Sequence, residues 1–350
     1  MEGSRLALYM QPIIKYSKPS VAVIKNKTSF FEENEKHLLR VQEVNQIYKK
    51  QPRRHFCKNC GSSIGSEDII VQNIEYSICE ICHHFNGIYE DTEEFAKMVY
   101  SDDDGKDYAN NYLENYENRV KEIYLPKVEF LQEVLKKYKL LDDLSIKDIG
   151  CGAGHFIKAC EIRGLLAEGY DTNKKLINLG SEKLTKNKII YKDLNNINHL
   201  IKENNSKVLA LIGVLEHLMR PLDALKAFNE SNATILYLQV PLFSFSVLLE
   251  SMNDDVFPRQ LNTGHTHLYT YDSIKYFCNK FNLNIIGEWW FGTDMVDMYR
   301  HLLVKVKSNE NKKKKLLIQK FFGDFIDTVQ NSIDATKQCS GVNMVLQKKS

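Results

Sequence analysis

Residues 145–171 read SIKDIGCGAGHFIKACEIRGLLAEGYD, and this stretch decides the fold. A short strand-like run from Ser145 to Ile149 carries Asp148 near its end and breaks into Gly150-Cys151-Gly152-Ala153-Gly154. A helical stretch follows from His155 to Arg163, and a second short run from Leu165 to Tyr170 ends on Asp171. Strand, glycine turn, helix, strand and terminal acid make a nucleotide-binding βαβ unit. Glycines let the backbone approach a ligand closely, and an acid at the tip of the second strand accepts hydrogen bonds from ribose hydroxyls.

A dinucleotide fingerprint would read G-x-G-x-x-G, whereas this turn is Gly150-x-Gly152-x-Gly154 with Asp148 ahead of it. It resembles D-x-G-x-G-x-G, motif I of the class I S-adenosylmethionine (SAM) methyltransferases. The resemblance extends over roughly residues 120–350. It implies an α/β, Rossmann-like core of seven strands, with Asp148, Gly150, Cys151, Gly152 and Gly154 around the cofactor and Asp171 on its ribose. An acid just after the third strand contacts the adenine in that family, and Asp193 stands at the matching place, where a simple turn aspartate is the competing reading.

The later segments arrive in the order such a core requires. Val208 to Ile212 is apolar at consecutive positions, as a parallel strand covered on both faces should be. It leads into Gly213-Val214-Leu215-Glu216-His217-Leu218-Met219-Arg220-Pro221, which resembles the V-L-E-H-L-x-x-P segment of methyltransferases with ubiquinone-type and sugar-modifying members. The resemblance adds Gly213 to the cofactor set and puts Glu216 and His217 at the carboxyl edge of the sheet, where open α/β sheets bind ligands. His217 is then a general base or a histidine that holds its loop. Thr234 to Gln239 reads as a fifth strand, and its exit loop, Leu242 to Thr270, is long enough to build an acceptor pocket. That loop carries His265 and His267, further base or substrate-binding candidates, and Thr270 or Asp272 caps the helix that follows. Leu283 to Trp290 is a sixth strand. The seventh is Val342 to Gln347, inserted antiparallel if the resemblance holds, or else Leu302 to Val306.

Ahead of the core, Cys57-Lys58-Asn59-Cys60 and Cys79-Glu80-Ile81-Cys82 lie eighteen residues apart. Two C-x-x-C turns at this spacing supply the four thiolates of a closed, structural zinc site. With Cys57, Cys60, Cys79 and Cys82 filling every position, the ion has no vacancy for catalysis. His83 and His84 read as flanking surface histidines, and Ile69 to Ile78 as a hairpin between the knuckles. The knuckles resemble those of nucleotide-sugar C-methyltransferases. Val21 to Ile24 reads as a strand and Phe30 to Lys50 as an amphipathic helix. Tyr108, Tyr112 and Tyr116 fall along one helical face of an acidic bridge, as a packing stripe or as a lid over the cofactor. Val120 to Tyr138 is the helix entering the core.

These readings divide the chain into an extension (1–52), a zinc module (53–90), a tyrosine-rich bridge (91–125) and a methyltransferase domain (126–350). The balance of 47 basic and 45 acidic residues gives a formal charge of +2, so no global field draws the chain to nucleic acid or to an acidic membrane. The basic run Lys312 to Lys315 reads as a solvated loop. No apolar stretch approaches the ~20 residues that cross a bilayer, the start lacks a signal-peptide pattern, and scattered cysteines suit a reducing cytoplasm. The expectation is methyl transfer from SAM to a small polar acceptor, a sugar or nucleotide-sugar, with a histidine as base. An RNA methyltransferase gripping with its zinc module and a non-enzymatic scaffold are the alternatives.

Overall fold

The computed structural model describes residues 10–26, 29–101, 115–262, 264–306 and 312–349. Its strands are β1 (Ile13–Tyr16), β2 (Ile69–Val71), β3 (Ile74–Ile78), β4 (Phe85–Gly87), β5 (Ser145–Ile149) and β6 (Leu166–Asp171), then β7 (Lys188–Tyr191), β8 (Val208–Ile212), β9 (Ile235–Pro241), β10 (His267–Leu268), β11 (Leu283–Phe291) and β12 (Gly341–Lys348). Eight of them form one sheet in the order β1-β11-β12-β9-β8-β5-β6-β7. Pairs β7 to β9 are parallel, whereas β12 runs antiparallel to both β9 and β11. The chain therefore has the Rossmann-like α/β core expected, and Gly341–Lys348 is its seventh strand. The competing segment, Leu302 to Val306, lies instead at the end of the helix Asp294–Lys305.

Side chains alternate between two packed faces, as the period of a strand requires. Leu209 and Leu211 of β8 join Leu236, Leu238 and Val240 of β9 in one cluster, with Leu225, Phe228 and Phe277 from the helices Pro221–Glu230 and Tyr271–Lys280. Val208, Ala210, Ile235 and Tyr237 face the other way, against Val128, Leu131 and Phe156 of the helices Leu125–Lys137 and His155–Ile162. Burial on both faces explains why β8 reads as an unbroken apolar run.

The N-terminus departs from expectation. Ile13–Tyr16 adds an eighth strand, parallel to β11, with Ile13 opposite Gly287. Four residues half-exposed at a sheet edge leave no run of apolar periodicity to read. Val21 to Ile24 is helical, within Ser20–Asn26, and not a strand. The segment Val120–Tyr124 forms a π-helical turn between Tyr116–Arg119 and Leu125–Lys137. Pro126 follows it and has no N–H for the regular ladder, so the wider turn passes the proline without a break. Lys312 to Lys315 opens the helix Lys312–Ala335 rather than a loop, exposed throughout. Tyr108 and Tyr112 of the expected stripe lie outside the described residues. No helix among the described residues is long and apolar enough to cross a membrane.

A second sheet, β10-β4-β3-β2, carries the cysteine knuckles. Its hairpin turns through Gln72 and Asn73, both with positive φ, as a two-residue loop between twisted strands demands. Its fourth strand, β10, comes from the long loop after β9 and pairs antiparallel with β4. The cysteine module is thereby sewn to the core through the loop expected to shape the acceptor pocket.

Candidate active site

The glycine turn lies between β5 and the helix His155–Ile162, at the carboxyl edge of the sheet. Gly154 has φ +68°, and a Cβ there would stand 2.3 Å from Ile189 Cδ1. Gly150 has φ +75°, and its Cβ would stand 2.7 Å from Val214 Cγ2. Left-handed backbone and absent space both require glycine at these two positions. Asp171, 8% exposed at the tip of β6, accepts hydrogen bonds from the Gly152 N–H at 2.7 Å and the Asn173 N–H at 2.8 Å. Burial pushes its carboxyl above the usual range, against those two bonds. Tyr116 closes one side: its hydroxyl donates to the Ala153 carbonyl and its ring stacks on His155.

The remaining cofactor candidates sit at different depths. Asp148 is buried on the same face of β5 as Ile146, its Oδ1 has no hydrogen-bond partner, and burial beside Asp171 pushes its carboxyl well up. Cys151 donates its N–H to the Tyr170 carbonyl, and its sulfur fills the space a Cβ on Gly169 would need. Asp193 is exposed and accepts from the Asn195 N–H, capping the short turn that follows β7. Gly213, at φ +69°, donates to the Gln239 carbonyl and starts the turn into Glu216 and His217.

A crevice beside this turn is lined by Asp91, Phe95, Val99, Glu216, His217 and Thr266. Burial pushes the Glu216 carboxyl up to about 8 and the His217 imidazole down to about 4. His217 Nδ1 lies 3.0 Å from the Gly264 carbonyl, and His265 Nδ1 lies 2.7 Å from the Gln260 carbonyl. A carbonyl only accepts, so each Nδ1 carries the hydrogen. The two rings stand 5.0 Å apart between centroids. His267 does not join them. It is fully buried in β10, its Nδ1 2.8 Å from His84 Nε2, with Tyr269 edge-on to both rings. His84 is correspondingly interior, not the surface residue expected from its place beside Cys82; His83 alone is exposed. Pairing of β10 with β4 draws both imidazoles into the joint between module and core, which no local sequence signal marks.

Cys57, Cys60, Cys79 and Cys82 converge, with Sγ atoms of Cys57 and Cys82 at 3.6 Å and of Cys60 and Cys79 at 3.4 Å. Zn–S bonds of about 2.3 Å in a tetrahedron place sulfurs about 3.8 Å apart, whereas a disulfide would need about 2 Å. Backbone N–H groups of Asn59 and Ser62 point at Cys57 and Cys60 sulfurs, as a thiolate knuckle requires. The donor set and spacing fit zinc. Lys58, inside the first knuckle, is buried and paired with Asp91 on the crevice wall, and Arg54 donates to the same carboxylate. Asn59 Nδ2 donates to the Ser273 carbonyl at 2.9 Å. Asp91, Phe95 and Lys58 were absent from the sequence-based set, although a lysine between knuckle cysteines is a residue whose position an ion would fix.

Residues 116–288 match the methyltransferase-domain family model. The matched segment spans the glycine turn, Asp171 and Glu216-His217, and stops short of β12. No curated protein matches the chain. Among solved structures, the chain is similar to magnesium protoporphyrin IX methyltransferase from Synechocystis PCC 6803 with bound S-adenosylhomocysteine, at 11% identity and TM-score 0.46, covering 74% of this chain and 100% of that one. It is also similar to the plantazolicin methyltransferase BpumL, at 17% identity and TM-score 0.45, covering 73% and 95%.

Proposed function

We propose that the protein transfers a methyl group from SAM to a small polar acceptor of the sugar or nucleotide-sugar class. One observation carries the reading. Gly150 packs on Val214, so the cofactor turn and the Glu216-His217 turn are neighbours at the carboxyl ends of paired strands β5 and β8. A cofactor at one meets an acceptor at the other. Gly152 and Asp171 would hold its ribose end, and SAM supplies an activated sulfonium methyl. The chain's own task is to align the acceptor and take its proton.

His217 is the group we assign to that proton. With hydrogen on Nδ1, its Nε2 carries the lone pair, and burial keeps the ring neutral at pH 7. Asp91, a carboxylate, and Glu216, which burial keeps mostly protonated at pH 7, line the same crevice with Phe95. A carboxylate accepts, a carboxylic acid also donates and an aromatic ring packs, a combination suited to a ring bearing hydroxyls or an amine. The cysteine module serves as an architectural piece, holding Lys58, Asp91 and the β10 loop. Calorimetric titration with SAM and S-adenosylhomocysteine, followed by a nucleotide-sugar acceptor screen, tests the reading. Micromolar binding that is lost in Asp171→Ala is expected. Absence of binding to the folded, zinc-loaded protein overturns it.

A further inference from the structure

Glu216, His217 and His265 each offer one ligand atom, and the three atoms lie within 4.8 Å of one another. Glu216 is 4% exposed, and its Oε2 has no hydrogen-bond partner. An unsatisfied carboxylate oxygen in the interior is costly unless a cation or a donor meets it. Both imidazoles turn Nδ1 toward a backbone carbonyl, Gly264 for His217 and Gln260 for His265. Metal-binding histidines characteristically make this outer contact, because it fixes the tautomer that presents Nε2 and raises its basicity.

We infer that Glu216, His217 and His265 form a divalent-cation site on the wall of the acceptor crevice, separate from the four cysteines. Two imidazoles and one carboxylate favour a borderline transition ion of the zinc class over calcium or magnesium, which take oxygen-rich shells. Bonds of about 2.1 Å would draw the three atoms to about 3.4 Å apart in a tetrahedron, a contraction within reach of side-chain rotation. The site stands on the reading of this crevice as the acceptor site and refines it: a bound ion takes the His217 Nε2 lone pair that the ion-free protein offers to the acceptor's proton, so loading the site competes with turnover.

The test is a cobalt(II) titration of the full-length, zinc-loaded protein, followed by visible absorption, with metal content measured after gel filtration. Wild type should show weak d–d bands without thiolate charge transfer and gain one ion beyond the cysteine-bound zinc. Glu216→Gln and His265→Asn should each lose the bands and the extra ion while keeping their zinc and thermal midpoint. No bands in wild type, or bands that persist in Glu216→Gln, overturn the site, and Glu216→Gln decides alone if the histidine variant misfolds. SAM titration of the same samples separates the two readings. SAM binding without cobalt binding rejects only the ion, and cobalt binding without SAM binding rejects only the methyltransferase reading.

Discussion

The carboxylate of Asp171 accepts the Gly152 backbone N–H at 2.7 Å, tying the tip of β6 to the middle of the glycine turn. The bond fixes the turn that would receive the cofactor, and it uses only one of the two carboxylate oxygens; the other takes the Asn173 N–H. Each oxygen retains a lone pair for a ribose hydroxyl. Asp171→Ala removes the ribose contact and the turn's anchor together. Affinity for SAM should fall by at least ~10-fold, the effect of one lost charge-assisted hydrogen bond, measured by calorimetry. An Asp171→Ala protein that binds SAM as wild type does would displace Asp171 from the site.

Gly154→Ala tests the turn from the opposite direction. The new methyl would meet Ile189 Cδ1 at 2.3 Å while the residue is held at φ +68°. Overpacking and left-handed strain should together lower stability by about 1–3 kcal/mol. Urea unfolding measures this. Gly164, at φ +70° with nothing within 4 Å, is the control that isolates the backbone contribution.

The contrast with β1 shows what a sequence makes legible. In β5 to β9 the glycine turn, the terminal acid and the consecutive apolar residues each follow from a local requirement, so these segments are legible one by one. Even the antiparallel β12 was readable as a strand. Ile13–Tyr16 is a strand only because β11 offers an edge, and His84 and His267 are a pair only because β10 reaches the cysteine sheet. Of the three candidate histidines, His217 and His265 lie with their rings 5.0 Å apart and His267 lies against His84, a separation that no local motif marks. Asp91 entered the crevice through Lys58, a tertiary ion pair without a motif.

His217→Gln should leave SAM binding intact and lower turnover ~10²–10⁴-fold, the usual contribution of a positioned acid–base group. Single-turnover assays with the acceptor that emerges from the screen check this. An unchanged rate would move the proton-accepting role off the Glu216-His217 turn.

Acid stability should report on His301. It is 4% exposed, neither ring nitrogen has a hydrogen-bond partner, and burial with Arg300 beside it holds its imidazole down to about 4. In the unfolded chain it returns to about 6.5. Between these values the unfolded state binds the extra proton, so stability is full above pH 6.5 and declines as pH falls toward 4. Replacing it with Gln removes that titration, and the slope of unfolding free energy against pH over this window should become shallower by up to one proton. Equal slopes for wild type and His301→Gln would show that the ring is not held neutral.

The cysteine module should control the crevice without touching the methyl group. Cys79 is fully buried beside Cys60, and its N–H donates to the carbonyl of His84. His84 in turn meets His267, and β4 pairs with β10 in the loop that carries His265. Removing a bound ion would leave four thiolates to repel one another or take up protons, which would release Lys58 from Asp91 and β4 from β10. Cys79→Ser, or exhaustive chelation, should therefore abolish zinc content and lower the thermal midpoint. The glycine turn is built from β5, β6 and their own hydrogen bonds, so SAM should still bind within a few-fold of wild type while acceptor turnover is lost. Calorimetry and a methyl-transfer assay on the same chelated sample give both readouts. Simultaneous loss of SAM binding would mean that the module supports the whole core, and retention of turnover would mean that the crevice holds its shape without the ion.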